Sequence, residues 1–393
     1  MNTQSVKQVE EVREISAITY GFMASKALFA ALELDVFTQI ADGADTLPIL
    51  ARATGIAENR LVTLLTALKS LGLIAESDGN FTNAPATARY LVAGAPGDFR
   101  DYVRLVNGAF GYESFRHLGP ALRGERIFPD KGFYEGLIYG SGIGGAQFSS
   151  AQHAGSIGPA LVMAKRVQLD GRERLLDVGG GSGTYTLAFC AANPQLSATI
   201  LDFPETIETA KRYPREAGFS ARIAHLAGNA VATDWPAGHD VVLMSYLWSA
   251  VGAGDLPVLA RRAADALPVG GLVLVHDFMV DNAREGPPFA AWYLLGSIFD
   301  NPDAVCLTPA YVEGGIAPRR LQSPARGSHA PGHHDANQSY QSALMHYAAR
   351  MVEGLPLGAQ LTSWLRRRIS AQEGRAGFAR AKADIGDGAA AQD

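Results

Sequence analysis

The sequence predicts an α/β protein, a doubly wound parallel sheet preceded by an α-helical N-terminal module. Three observations carry this. A short apolar run, Leu175-Leu176, ends in Asp177, and after Val178 glycines fall at the alternate positions Gly179, Gly181 and Gly183; Leu187-Ala188-Phe189 then starts a helical pattern. From Arg174 to about Leu307, strand-length apolar runs alternate with helical periods, as in βαβ units. Towards the N-terminus the apolar residues recur at helical spacing instead.

Residues 12 to about 40 place Ile15, Ile18, Phe22, Ala27, Leu28, Ala31 and Leu32 at that spacing. Asp45 to Leu71 reads as helix, turn, helix. Ala53-Thr54-Gly55 is the break, and Asn59-Arg60-Leu61-Val62 opens the second helix. Gly72 to Glu76 and Asn80-Phe81-Thr82 read as a two-stranded wing, which completes a winged-helix pattern. DNA binding is one function such a pattern suggests. The second helix carries only Arg60 and Lys69 as basic residues, and the chain's net charge is −5. Contact with phosphates needs more positive charge than this. Residues 98 to 165 are rich in aromatics and glycine. Most of these aromatics are expected in the core.

In the sheet region, Asp255 to Leu267 reads as a crossover helix with Asp255 at its N-cap. Leu256, Leu259, Ala260, Ala263 and Leu267 share one face, and Pro268-Val269-Gly270-Gly271 ends it. A second strand, Ala198 to Asp202, closes on an acid 19 residues after Gly183. That is close to the spacing of about 20 at which a βαβ unit presents a ribose-binding acid. The ligand is therefore read as a ribose-bearing cofactor. NAD competes for this role, but the spacing is G-x-G-x-G rather than G-x-G-x-x-G, and Asp177 disfavours a pyrophosphate. A cofactor with a cationic amino-acid end, such as S-adenosylmethionine, suits the acid. The patterns divide the chain at 1–97, 98–165, 166–315 and 316–393.

Asp177 to Gly183 resembles the first motif of class I S-adenosylmethionine-dependent methyltransferases, which have a Rossmann-like sheet. Asp202-Phe203-Pro204, His239 to Ser245 and Ala266 to Asp277 resemble the ends of their second, fourth and fifth strands. With the N-terminal part, residues 12 to 315 resemble the dimeric small-molecule O-methyltransferases of plants and bacterial natural-product pathways. The resemblance implies that the winged-helix module is a dimerisation domain and that the chain is a homodimer acting on a small-molecule substrate. It implies cofactor binding by Asp177, Gly179, Gly181, Gly183, Asp202, Phe203, Asn229 and Ser245. Relatives often have Asp where Asn229 stands.

One departure matters for the chemistry. Relatives read approximately Leu-His-Asp-Trp after the fourth strand, whereas this chain reads Leu247-Trp248-Ser249-Ala250. Indole cannot remove a proton. An alcohol needs a base; a phenol, with a pKa of about 10 like tyrosine's, needs less help. A thioether has a lone pair and no proton to lose, and an aromatic face stabilises the sulfonium it forms. Trp248 thus favours base-free S-methylation, with Tyr246 a further contact; His153 or His276 is the alternative base for O-methylation. Gln152 to Ser156 with Ser245 to Trp248 resembles the bacterial S-methyltransferases of 4-methylthio-2-hydroxybutyrate in dimethylsulfoniopropionate synthesis. For a carboxylate substrate, Arg104, Arg116 and Lys131 are candidate cations, and Tyr112, Tyr134, Tyr139 and Tyr293 candidate contacts. A cofactor-binding homologue that has lost catalysis is the non-enzymatic alternative.

After about Gly315 the strand-helix order dissolves. Gly332 to Ser339, back-translated with plausible codons and shifted by one base, gives Ala-Ile-Thr-Met-Leu-Thr-Lys, a credible final strand. Residues past about 315 are therefore expected to be an irregular tail, read out of frame or diverged, with an amphipathic helix over 340–368. His333, His334 and Asp335 mimic a metal cluster, but their Gly/Pro/Ser/Ala surroundings favour unstructured chain, so no metal is expected. Two cysteines make no disulfide framework and fit a reducing compartment. Uninterrupted apolar runs all fall short of the roughly 18 residues of a membrane span. A cytoplasmic protein free of membrane and nucleic acid is expected.

Overall fold

The computed structural model describes residues 8–95, 97–125, 127, 145–169, 171–299 and 303–316, and the backbone of 341–347 and 363–370. The chain forms two compact units, Met1–Gly119 with Asp130–Gly155, and Pro120–Pro129 with Ser156–Asp393. The division falls inside the helix Gly145–Arg166, not at either end of the 98–165 segment.

The first unit opens with helices Val12–Glu33 and Val36–Ala41. The single helical run expected to about residue 40 is interrupted at Asp35, whose backbone is left-handed at φ 56°. Helices Leu47–Thr54 and Glu58–Ser70 follow, then an antiparallel hairpin of β1 (Ile74–Ser77) and β2 (Asn80–Asn83). Phe29, Leu32, Phe37, Leu50, Leu61, Leu65, Leu68, Ile74 and Phe81 close its core. Several residues expected to pack from the first helix do not. Ile15, Ile18 and Phe22 are exposed, as are Val12 and Met23. This helix is also long and apolar enough to pass for a membrane span, although only 17% of its most apolar window is buried. The expectation from sequence concerned uninterrupted apolar runs; Lys26 interrupts this one without offsetting its mean hydropathy. Residues Tyr102–Tyr112 wind as a π-helix, and Gly155 lies against the Tyr102 ring, where a Cβ would stand 2.5 Å away.

The second unit is built on the expected parallel sheet. Its strands are β3 (Arg174–Val178), β4 (Ser197–Asp202), β5 (Ile223–Ala227), β6 (Val241–Ser245) and β7 (Leu272–Asp277). They lie in the order β5-β4-β3-β6-β7, all parallel. β3, β6 and β7 are almost wholly buried, which is why they read as continuous apolar runs rather than alternating ones. Helix Leu256–Ala266 buries the predicted face; Asp255 holds the N-cap position, but its side chain makes no capping hydrogen bond.

The backbone of β8 (Gln341–Tyr347) and β9 (Ser363–Ser370) corrects the reading of the tail. These are strands where a helix was expected over 340–368; β9 pairs antiparallel with β7, and β8 with β9. The free edge of β7 presents unpaired donors and acceptors, and an antiparallel strand satisfies them whatever its side-chain period. His333, His334 and Asp335 lie outside the described residues.

Candidate active site

Ligands of doubly wound sheets bind beyond the carboxyl ends of the strands, where the strand order reverses. Here the chain runs outward from β3 through β4 to β5, then returns to place β6 on the other side of β3. The reversal lies between β3 and β6, so the crevice is bounded by the Gly179–Gly183 turn and by Ser245 and the residues that follow.

The three alternate glycines have different reasons to be glycine, and all have positive φ. A Cβ on Gly183 would stand 2.5 Å from Ile200 Cδ1, so this position serves close packing of helix Thr184–Ala192 on the sheet. A Cβ on Gly179 would stand 3.0 Å from Leu247. Around Gly181 the equivalent space is open, and this is where a ligand can approach the backbone.

Asp177 is 1% exposed. Thr186 donates its hydroxyl to Asp177 Oδ2 at 2.6 Å, while Oδ1 is buried with no partner. Desolvation raises its pKa to about 7; the Thr186 hydrogen bond opposes the shift, and the charge of Asp202 adds to it. Asp202 sits at the end of β4 and accepts from Gly181 N–H through Oδ2 and from Phe203 N–H through Oδ1, both at 2.7 Å. Desolvation raises its pKa too, against those backbone amides. The Thr206 side chain donates a further hydrogen bond to this carboxylate, which still keeps acceptor capacity for a ligand hydroxyl. Phe203 is exposed beside it. Asn229 caps its own turn. Its Oδ1 accepts from Val231 N–H, and its N–H donates to Thr233 Oγ1, each at 2.9 Å.

The end of β6 is strained. Tyr246 takes φ 55° and donates its N–H to His276 O at 2.7 Å. A tyrosine in this region costs roughly 1–3 kcal/mol, which surrounding contacts must hold. Ser245 Oγ and His276 Nδ1 are 2.9 Å apart. His276 is buried and packs against Tyr185 and Tyr246, and desolvation lowers its pKa to about 3. This counts against His276 as a base, since an imidazole that resists protonation until pH 3 takes protons poorly. Asp277 is fully buried and accepts from Ser249 N–H at 2.9 Å and Phe278 N–H at 2.8 Å. That anchorage tethers the loop carrying Trp248. The indole is 1% exposed, lies in the core, and faces Gly315, where a Cβ would stand 3.2 Å from it. Trp248 therefore does not present the aromatic wall that sulfonium stabilisation requires. Tyr293 stacks on Phe278 with ring centroids 3.7 Å apart.

The remaining candidates belong to the first unit. Arg104 pairs with Asp101 at 2.9 Å and Arg116 with Glu113 at 3.2 Å, so each candidate cation already has an acid one turn away. Tyr112 carries the Lys26 ammonium 4.1 Å above its ring and Phe29 at its edge. His153 lies on the helix Gly145–Arg166. Lys131, Tyr134 and Tyr139 fall outside the described residues. Sequence reading missed Thr186, Leu247 and the anchoring role of Asp277. Thr186 lies outside the quoted motifs, and Leu247 and Asp277 lie within them; the contacts of each are identified by what the fold brings beside it.

The crevice fits S-adenosylmethionine. The open space at Gly181 admits a ligand, the unpartnered Asp177 oxygen suits a cation, and Asp202 offers a carboxylate acceptor beside the same turn. Residues 137–301 match the O-methyltransferase domain family, and residues 17–93 match the O-methyltransferase dimerisation domain. The chain is 31% identical over 282 residues to 3-hydroxy-5-methyl-1-naphthoate 3-O-methyltransferase of Streptomyces sahachiroi, covering 70% of this chain and 80% of that one. It is 32% identical over 291 residues to the tetracenomycin polyketide synthesis 8-O-methyl transferase TcmO of Streptomyces glaucescens, covering 72% and 83%. The fold is that of human N-acetylserotonin methyltransferase, solved in complex with S-adenosylmethionine, with a TM-score of 0.72 at 20% identity over 93% of this chain and 100% of that one. The chain belongs to the O-methyltransferase family. It is an S-adenosylmethionine-dependent methyltransferase of small molecules and carries the family's dimerisation domain. When bound, the cofactor supplies a methyl group on a cationic sulfur.

The raised pKa of Asp177 has a signed consequence. The folded protein keeps a proton that the unfolded chain releases near pH 4, so the stability tied to this group is lost as pH rises from about 4 through 7. Without cofactor, the wild type should lose melting temperature between pH 5 and 8 more steeply than Asp177→Asn. Buried Asp277, raised to about 6, adds a slope common to both proteins. Equal slopes in a differential scanning series would show that Asp177 is ionised throughout.

Proposed function

We propose that this enzyme methylates the hydroxyl of an acidic phenol or enol on a small aromatic molecule, and does so without a protein base. The observation that carries the reading is the β6 loop. The position matching the relatives' base is occupied by Trp248 and turned into the core, and the neighbouring imidazole, His276, is held neutral. His239 precedes β6 and so lies at the opposite end of the sheet, and His225 lies within edge strand β5. An acceptor that loses its proton to solvent needs no imidazole. Of the two relatives, one is named for 3-O-methylation of a hydroxynaphthoate and the other for 8-O-methylation in tetracenomycin polyketide synthesis, which supports a hydroxylated acceptor, aromatic in the first case.

S-methylation of a thioether acid such as 4-methylthio-2-hydroxybutyrate is the second reading. The same absence of a base favours it, since a thioether carries a free pair at every pH. The buried indole removes the stabilising wall on which that reading first drew.

We further propose a cytoplasmic homodimer, the exposed Val12–Glu33 face covered by a second copy rather than by lipid or nucleic acid. The match to the dimerisation domain supports this and so does the row of uncovered apolar residues. Ile18→Asp with Phe22→Asp should give a monomer by light scattering; a double variant that remains dimeric would place the contact elsewhere.

The chemical reading is tested with phenols of graded acidity, following S-adenosylhomocysteine against pH. The break in log kcat/KM should move with the pKa of each phenol. One fixed break for all of them would reveal an enzyme base. Turnover of the thioether, with none of any phenol, would select the second reading. Cofactor binding without turnover of either class would mark a homologue that has lost catalysis.

A further inference from the structure

We infer that Ser245 and His276 act as a pair, in which the imidazole fixes the Ser245 hydroxyl so that its oxygen accepts a hydrogen bond from the ammonium of the cofactor's amino-acid end. The inference rests on the use of S-adenosylmethionine and is independent of the acceptor's identity.

Ser245 is the last residue of β6, and the register places it at the strand reversal. Val178 pairs with Met244, so the next positions on the two strands are Gly179 and Ser245. Leu247 packs at Gly179, which sets the Ser245–Leu247 backbone beside the glycine turn. Ser245 is half-buried, and its side chain hydrogen-bonds His276 Nδ1 at 2.9 Å.

His276 sits opposite Ser245 on β7. Tyr185 and Tyr246 pack on its ring, with centroids 5.1 and 4.8 Å away, and fix its plane. An imidazole buried in this way is neutral, and one ring nitrogen is then an acceptor. With the proton on Nε2, Nδ1 accepts the Ser245 hydroxyl. The serine oxygen then turns its lone pairs away from the ring. A serine so oriented suits a cationic N–H donor and not a carboxylate. An imidazolium would reverse the hydroxyl and add a like charge beside a cationic ligand. Burial of His276 is therefore useful to the binding site even though it leaves the ring a poor base. His276 is a positioning residue and acts through Ser245.

Two ligands separate this role from a general effect on the fold. S-adenosylhomocysteine carries the amino-acid end, and 5′-methylthioadenosine lacks it. Calorimetric Kd values should rise about tenfold for S-adenosylhomocysteine in Ser245→Ala and in His276→Phe, and the double variant should be no weaker than either. Methylthioadenosine should bind all three variants as it binds the wild type. His276→Asn, which returns an acceptor near the Nδ1 position, should recover most of the loss. Equal losses for both ligands, additive losses in the double variant, or unchanged affinity in Ser245→Ala would each overturn the pairing. Ser245→Ala removes a single oxygen, so it decides the matter even where a substitution of His276 unfolds the protein.

Discussion

A carboxylate held out of water at the carboxyl end of β3 governs the construction of this site. Asp177 is buried within the unit that binds the cofactor, with one oxygen on Thr186 and the other unpartnered. An ionised carboxylate left that way costs free energy, which its upward pKa shift records. A cationic ligand relieves that cost on binding. The backbone beside it turns sharply at Gly179, Gly181 and Gly183. Asp202, at the next strand end, organises the same turn by accepting from Gly181 N–H. The glycine turn and the two acids therefore form one electrostatic unit, and the strand order brings β6 against it.

The other wall of the crevice is set by backbone conformation. Tyr246 enters the left-handed region, Asp277 fixes the amides of Ser249 and Phe278, and Trp248 turns inward onto the helix Pro309–Ile316. Substituting imidazole for indole at position 248 would place it in the core. The lack of an imidazole at this position of the β6 loop is thus a property of the loop's path as well as of one residue.

The sheet was legible because β3, β6 and β7 are buried on both faces and so read as continuous apolar runs, with glycine turns to punctuate them. Asp202 was legible from its distance to Gly183. Two things were not legible. Helical spacing in Val12–Glu33 locates the apolar face but says nothing of what covers it, and Ile15, Ile18 and Phe22 proved exposed in the single chain. Side-chain direction at Trp248 depends on the positive φ of Tyr246, which residue type disfavours and only tertiary contacts enforce. The pairing of Arg104 with Asp101 and of Arg116 with Glu113 is present in the sequence as i,i+3 spacing, which marks both cations as surface helix pairs.

The central claim is that S-adenosylmethionine docks where β3 and β6 part, with its ribose on Asp202. Calorimetric titration of S-adenosylmethionine into Asp202→Ala tests it most directly. Removal of this charged acceptor should weaken binding by about 2–3 kcal/mol, some thirtyfold or more, with the fold retained by circular dichroism. An affinity equal to that of the wild type would contradict the account.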